Sequence, residues 1–178
     1  NIGGKDAVVQ ATLKAYNSLD KANNCSKDFN AQALGTISVP SACSLGAVYK
    51  LIGGNSLGAI NLNSGRVTIF VDGDLDITGN IITGTNLVPL SQLPSLAIVA
   101  NGKINIAPGV TTIDAVLYGA DKIDTCSDAN SSNCKQPLQI NGMLVGKNGF
   151  SFDRTYYNEL SPGPAERVKF SPLSTVQV

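Results

Sequence analysis

At 178 residues the chain has the length of one domain with room for a buried core. Lysine plus arginine and aspartate plus glutamate balance at 13 each, so no net charge draws it towards nucleic acid or an anionic membrane. Only 15 % of residues are charged while Gly, Asn, Ser and Thr are abundant, which fits a turn-rich exported β-protein better than a cytosolic helical enzyme, and the absence of histidine excludes histidine acid–base chemistry.

Asn1 in place of methionine reads as a processed chain, with any signal or membrane anchor in a segment outside these residues. No apolar run approaches the roughly 20 residues that span a bilayer. Residues 5–22 carry a helical pattern: Val9, Leu13 and Tyr16 share one face, with Val8, Ala15 and Leu19 beside them. Asp6 is placed as an N-terminal cap or first-turn acid. Residues 23–47 read as an irregular connection containing Pro40. The chain thus divides into a helical, disulfide-bridged capping segment at 1–47 and a strand-rich part at 48–178.

The four cysteines form two sequence-local pairs, Cys25 with Cys43 and Cys126 with Cys134. Neither pair has the spacing of a zinc site, and the missing histidine removes the common mixed ligand sets. Two disulfides are the natural reading and imply an oxidising compartment; four buried thiols are the alternative. The 127–133 segment is wholly polar, so a staple at its base compensates for a loop without a core. Because that staple closes only a surface loop, its reduction is expected to matter less than that of the first. Asn24-Cys25-Ser26 and Asn130-Ser131-Ser132 match the glycosylation tripeptide, which recurs by chance in an Asn- and Ser-rich chain.

From residue 48 short strands alternate with Gly, Asn and Asp. Val71-Asp72-Gly73-Asp74-Leu75 recurs as Ala100-Asn101-Gly102-Lys103-Ile104 and as Ile140-Asn141-Gly142-Met143-Leu144. A degenerate copy runs from Val116-Leu117-Tyr118-Gly119 to Ile123-Asp124. Second corners follow at Thr78-Gly79-Asn80, Ala107-Pro108-Gly109 and Lys147-Asn148-Gly149. Leu75-Asp76-Ile77 and Ile104-Asn105-Ile106 alternate apolar and polar residues, so one face is buried and the other wet. Strands this short are stable only when stacked coil upon coil. The reading is an all-β, right-handed parallel β-solenoid (a β-helix) with an N-terminal α-helical cap. Corner loops at 83–94 and 126–134 account for coils of unequal length. A β-sandwich would need longer antiparallel strands, and a doubly wound α/β fold would need helices after residue 48. Ile69, Leu75, Ile77, Ile98, Ile104, Ile106, Ile140 and Phe152 are the expected core. Along the outward row of Asp76 the repeat places Asn105, Asp124 and Val145. Val168-Lys169-Phe170, between Pro164 and Pro172, is the expected closing strand.

The run from about residue 66 to 172 resembles β-helical domains of bacterial exported proteins, some associated with pili or the cell surface. The resemblance rests on residues 71–81, on Leu93-Pro94-Ser95-Leu96-Ala97-Ile98-Val99, on residues 102–106, and on Arg154 followed by Pro164-Ala165-Glu166-Arg167. It implies fold and location, and it carries no catalytic residue across.

The chemistry-bearing residues are few. Gly53-Gly54-Asn55-Ser56-Leu57-Gly58 lacks the Lys-Ser/Thr and the helix of a phosphate loop. Asp72, Asp74 and Asp76 with Lys103 imitate the acids and base of a calcium-dependent polysaccharide lyase, but Gly73 turns the chain between them. Ile77 stands where a calcium loop has its glycine. Solvated turn residues are therefore the first reading of these acids. Arg154 and Glu166 flank the closing segment and are expected to form a salt bridge holding that cap. Tyr156 and Tyr157 either make contacts or cover the last coil. No cofactor and no metal is expected. The functional expectation is a non-catalytic extracellular surface, pilus-associated or adhesive domain with a protein or cell-surface partner. A self-associating structural subunit is the alternative, and a polysaccharide-active enzyme the remote one.

Overall fold

The computed structural model describes residues 6–30, 35–84, 93–128, 133–155 and 163–170. Helix α1 (Ala7–Ser18) comes first. Strands then follow in coils. β1 (Ser26–Asn30) and β2 (Thr36–Ser38) belong to the first coil, and β3 (Ala47–Ile52), β4 (Ser56–Leu57) and β5 (Ile60–Ser64) to the second. The third holds β6 (Arg66–Val71), β7 (Leu75–Ile77) and β8 (Ile81–Thr83). The fourth holds β9 (Ser95–Ala100), β10 (Ile104–Ile106) and β11 (Thr112–Ile113). The fifth has β12 (Val116–Gly119), β13 (Ile123–Asp124) and β14 (Leu138–Asn141), and the sixth β15 (Met143–Gly146), β16 (Phe150–Ser151) and β17 (Glu166–Lys169).

Every pairing is parallel and joins a strand to its counterpart one coil away. The result is three sheets, β1-β3-β6-β9-β12-β15, β4-β7-β10-β13-β16 and β2-β5-β8-β11-β14-β17. The chain is therefore an all-β parallel solenoid. The stack already begins at Ser26, so residues 23–47 are not an irregular connection: β1 and β2 enter the first and third sheets.

The core is a set of rows. Tyr49, Ile69, Ile98 and Leu117 stack along the first sheet, and Leu75, Ile104 and Ile123 along the second. Ile60, Ile81, Ile113 and Ile140 stack along the third. All are buried. Each such side chain contributes roughly 1.5–3 kcal/mol by leaving water, which two- and three-residue strands could not gather alone. Phe152 is the exception among the expected core residues. It is 55 % exposed and stacks on Phe150 with ring centroids 5.9 Å apart, because nothing described lies beyond the sixth coil to cover it.

The repeat register also differs from expectation in its third copy. Asn141-Gly142 is the corner between the third sheet and the first, over Asp114-Ala115, whereas Asp72-Gly73 and Asn101-Gly102 join the first sheet to the second. The true counterparts of the latter are Asp121-Lys122 and Asn148-Gly149. All three corners of a coil demand tight backbone, so Asn-Gly marks a corner without saying which one. The outward row therefore runs Ser56, Asp76, Asn105, Asp124 and Ser151, and Val145 instead stacks on Tyr118.

Asp6 caps α1, its Oδ1 accepting from the N–H groups of Val8 at 3.0 Å and Val9 at 3.3 Å. The helix lies along the outer face of the first sheet. Val9 and Leu13 pack on Phe70, Val99 and Tyr118, outward residues of three successive coils. Tyr16 reaches β1, its hydroxyl donating to Asp28, and Ser26 donates to the Tyr16 carbonyl. An apolar outward row explains the placement: Phe70 and Val99 would otherwise face water.

Candidate functional site

Surface chemistry concentrates on the second sheet and its corners, where the lyase-like acids lie. Each of them is engaged by the coil above. Asp72 Oδ1 accepts from Asn101 Nδ2 at 3.1 Å, Asp74 Oδ1 from the Lys103 backbone N–H at 2.7 Å, and Asp76 Oδ1 from Asn105 Nδ2 at 2.8 Å. The same arrangement recurs at other corners, with Asn141 donating to Asp114 at 2.7 Å and Asn148 to Asp121 at 2.8 Å. The asparagine is always on the later coil and the aspartate on the earlier one. An acceptor-only carboxylate over an amide donor satisfies both, whereas stacked carboxylates would repel.

The acids are thus spacers between coils rather than a converging cluster. Asp114 shows this most fully. Its Oδ1 takes Asn141 from the fifth coil, and its Oδ2 takes the Thr83 N–H of the third at 3.1 Å. Among the described residues no group of three or more His, Cys, Asp or Glu is placed to hold a metal ion. This ladder was missed in the sequence, although a signal was there. Asp72 and Asn101, like Asp76 and Asn105, lie 29 residues apart, while Asp114 and Asn141, like Asp121 and Asn148, lie 27 apart.

Beside the ladder, Asn105, Asp124, Ser127, Asp128 and Asp153 line a shallow polar concavity floored by Cys126 and Cys134. Asp124 Oδ1 accepts from the Cys126 N–H at 2.9 Å, and Asp128 Oδ2 from Asn133 at 2.7 Å, so two of its three acids hold the loop base. Both expected disulfides are present, Cys25–Cys43 and Cys126–Cys134, with Cα atoms 5.4 Å and 5.9 Å apart. They indicate an oxidising environment. Ser26 of the first glycosylation tripeptide is buried and hydrogen-bonded; Asn130-Ser131-Ser132, Tyr156, Tyr157 and Pro172 lie outside the described residues, as does most of the 83–94 loop.

Arg154 and Glu166 do meet, but not as an ion pair. Glu166 Oε1 accepts from the Arg154 backbone N–H at 2.9 Å and from the Thr125 hydroxyl. The guanidinium points the other way, into a ring of main-chain carbonyls. Nε donates to Thr125 at 2.7 Å, Nη2 to Ala107 at 2.9 Å, and Nη1 to Val110 at 2.7 Å, Gln136 at 3.0 Å and Pro108 at 3.1 Å. Arg154 is only 6 % exposed, and burial lowers its pKa while Glu166 opposes that shift. Corner carbonyls cannot all find ladder partners, and an arginine fork supplies five donors in one plane. No sequence pattern announces such a ring, since its acceptors are backbone atoms of two other coils.

Fold and surface together define an all-β parallel solenoid with two disulfides and an acid–amide ladder. No protein-family model matches the chain, and no curated protein or solved structure does either. Among the described residues no helix is long and apolar enough to cross a membrane.

Proposed function

We propose that this chain is a non-catalytic extracellular module, a surface-display, pilus-associated or adhesive domain of a bacterial cell. In this reading the coil is right-handed, as parallel β crossovers are, and α1 shields the apolar outer row of the first sheet. The observation that carries the proposal is the ladder. Asp72, Asp74 and Asp76 are each hydrogen-bonded to the next coil, so the outward wall presents satisfied polar groups at a fixed spacing. Such a wall is suited to presenting contacts, because rigid strands hold each side chain with little ordering cost on binding. Catalysis would instead need an acid and a base converging on one reacting atom. The two disulfides favour an exported setting.

The test is a screen of acidic polysaccharides with and without calcium for chain cleavage, beside a binding assay of labelled protein on cell surfaces. Saturable binding without cleavage supports the proposal. Cleavage that disappears in Asp72→Asn or Asp76→Asn would replace it with the lyase.

One observation favours self-association as a second reading. On the sixth coil Phe150 and Val168 occupy core rows yet are 41 % and 45 % exposed. A self-assembling subunit would bury them, and its mass in solution would rise with concentration. A monomer at all concentrations removes this second reading.

A further inference from the structure

The sixth coil is held by different means from the coils beneath it. Coils two to five bury whole rows of aliphatic side chains, but the side chains of β15, β16 and β17 are half-buried or exposed throughout. Apolar burial therefore contributes little to docking this coil, and polar contacts must carry more. Arg154 is the largest of them. It belongs to the sixth coil, while its five carbonyl acceptors belong to the fourth (Ala107, Pro108, Val110) and the fifth (Thr125, Gln136).

The two acceptors on the fifth coil flank one covalent bond. Thr125 directly precedes Cys126, and Gln136 lies two residues after Cys134. The bridge holds the Cα atoms of Cys126 and Cys134 5.9 Å apart, next to the two carbonyls between which the guanidinium enters. The Cys134 carbonyl also accepts directly from the sixth coil, from the Thr155 N–H at 2.8 Å. Thr125 adds a side-chain contact, its hydroxyl donating to Glu166. The disulfide thus organises the acceptors of a buried cation, and a buried cation without its acceptors is strongly disfavoured.

We infer that Cys126–Cys134 is a redox-sensitive latch on the sixth coil. Cys126 and Cys134 border the polar concavity but are only 4 % and 1 % exposed, so a small dithiol attacks the bridge when the loop base opens locally towards that concavity. Cys126 and Cys134 each take up one electron and one proton, and the dithiol leaves as its own disulfide. With the loop base open, Thr125 and Gln136 separate, Arg154 loses its ring, and β15, β16 and β17 detach from coils that stay folded. Detachment replaces the edges of β15, β16 and β17 with those of β12, β13 and β14 and uncovers the aliphatic rows of the fifth coil. This reverses the expectation that the second bridge matters less because it spans only a surface loop.

Hydrogen exchange on the full chain, read peptide by peptide, tests the latch. In the oxidised protein 143–155 and 163–170 are protected. With dithiothreitol, and in C126S/C134S without it, exchange there should rise roughly tenfold or more, while β6, β7, β9 and β10 keep their protection. The double variant gives the reading even if the reductant reaches the sulfurs slowly. Arg154→Lys in oxidised protein should reproduce the local loss, and C25S/C43S should not. Unchanged protection of the sixth coil in C126S/C134S overturns the inference, and so does uniform loss of protection along the whole chain.

Discussion

Tyr118 donates its phenolic hydrogen to Asp6 Oδ2 at 2.6 Å, although 112 residues separate the two in the chain. Asp6 is also the N-cap of α1, and its Oδ2 lies 3.5 Å from Lys147 Nζ. One carboxylate therefore starts the helix and ties it to the fifth and sixth coils. The Tyr118 hydroxyl is the main cause holding the Asp6 pKa below its usual 3.8, with the Val8 and Val9 amides and Lys147 adding to it against the opposing effect of burial.

That arrangement makes the attachment of α1 pH-dependent at both ends of the scale. A lowered folded pKa means that the Asp6 contribution is full above pH 3.8 and is lost as pH falls through the lower folded value. Tyr118 works in the opposite direction, pushed up to about 12, first by burial and then by Asp6. Its contribution is full below pH 10 and is lost as pH rises towards 12. Asp6→Asn keeps a capping side chain and should remove the acid-limb dependence, while on the alkaline limb it takes away the Asp6 contribution and leaves that of Tyr118 burial. Asp6→Ala should cost an additional ~0.5–2 kcal/mol through the lost cap. Denaturant titrations across pH for the three proteins check this, and identical acid limbs in all of them would refute the role of Asp6.

Ile104 is wholly buried between Leu75 and Ile123. Ile104→Ala should lower stability by roughly 2–5 kcal/mol, since neighbours in a stacked row cannot collapse into the gap. Phe152→Ala, at the exposed end, should change it by about 0.5 kcal/mol or less. Chemical denaturation of both variants separates the two positions, and equal costs would contradict the register.

The corners offer a pair of glycine substitutions with opposite expectations. A Cβ on Gly142 would sit 1.9 Å from the Ala115 carbonyl oxygen, a backbone atom with no room to retreat. Gly142→Ala should therefore destabilise by about 1–3 kcal/mol or more. Around Gly109 a Cβ meets nothing within 4 Å, so Gly109→Ala should be neutral or slightly stabilising by ~0.4–1 kcal/mol. Thermal melts of the two proteins give the comparison.

The ladder can be tested where it is least exposed. Asp114→Ala leaves both the Thr83 N–H and the Asn141 amide without their acceptor, at a cost of about 1–3 kcal/mol. Asp114→Asn keeps an acceptor oxygen and should cost less. Asp72→Ala, on an exposed corner with one partner, should stay within about 0.5 kcal/mol. A stability ranking other than Asp114→Ala, Asp114→Asn, Asp72→Ala would show that the inter-coil carboxylates do not act as spacers.

Sequence alone determined the parallel stack, the two disulfides, Asp6 as the cap and most of the core rows. Those depend on local rules: strict alternation within Leu75-Asp76-Ile77 and Ile104-Asn105-Ile106, turn residues between, and paired cysteines close along the chain. Tertiary structure decided what depends on how coil lengths accumulate. Which corner Asn141-Gly142 occupies, and hence whether Val145 or Ser151 follows Asp124, is set by the preceding insertion at 126–134, which leaves no trace in the repeat itself. The outer-face position of α1 follows from Phe70, Val99 and Tyr118 aligning on three coils. Arg154 turning from Glu166 to five carbonyls could arise only once three coils were stacked, because main-chain acceptors have no identity in sequence and acquire one only from their place in the fold.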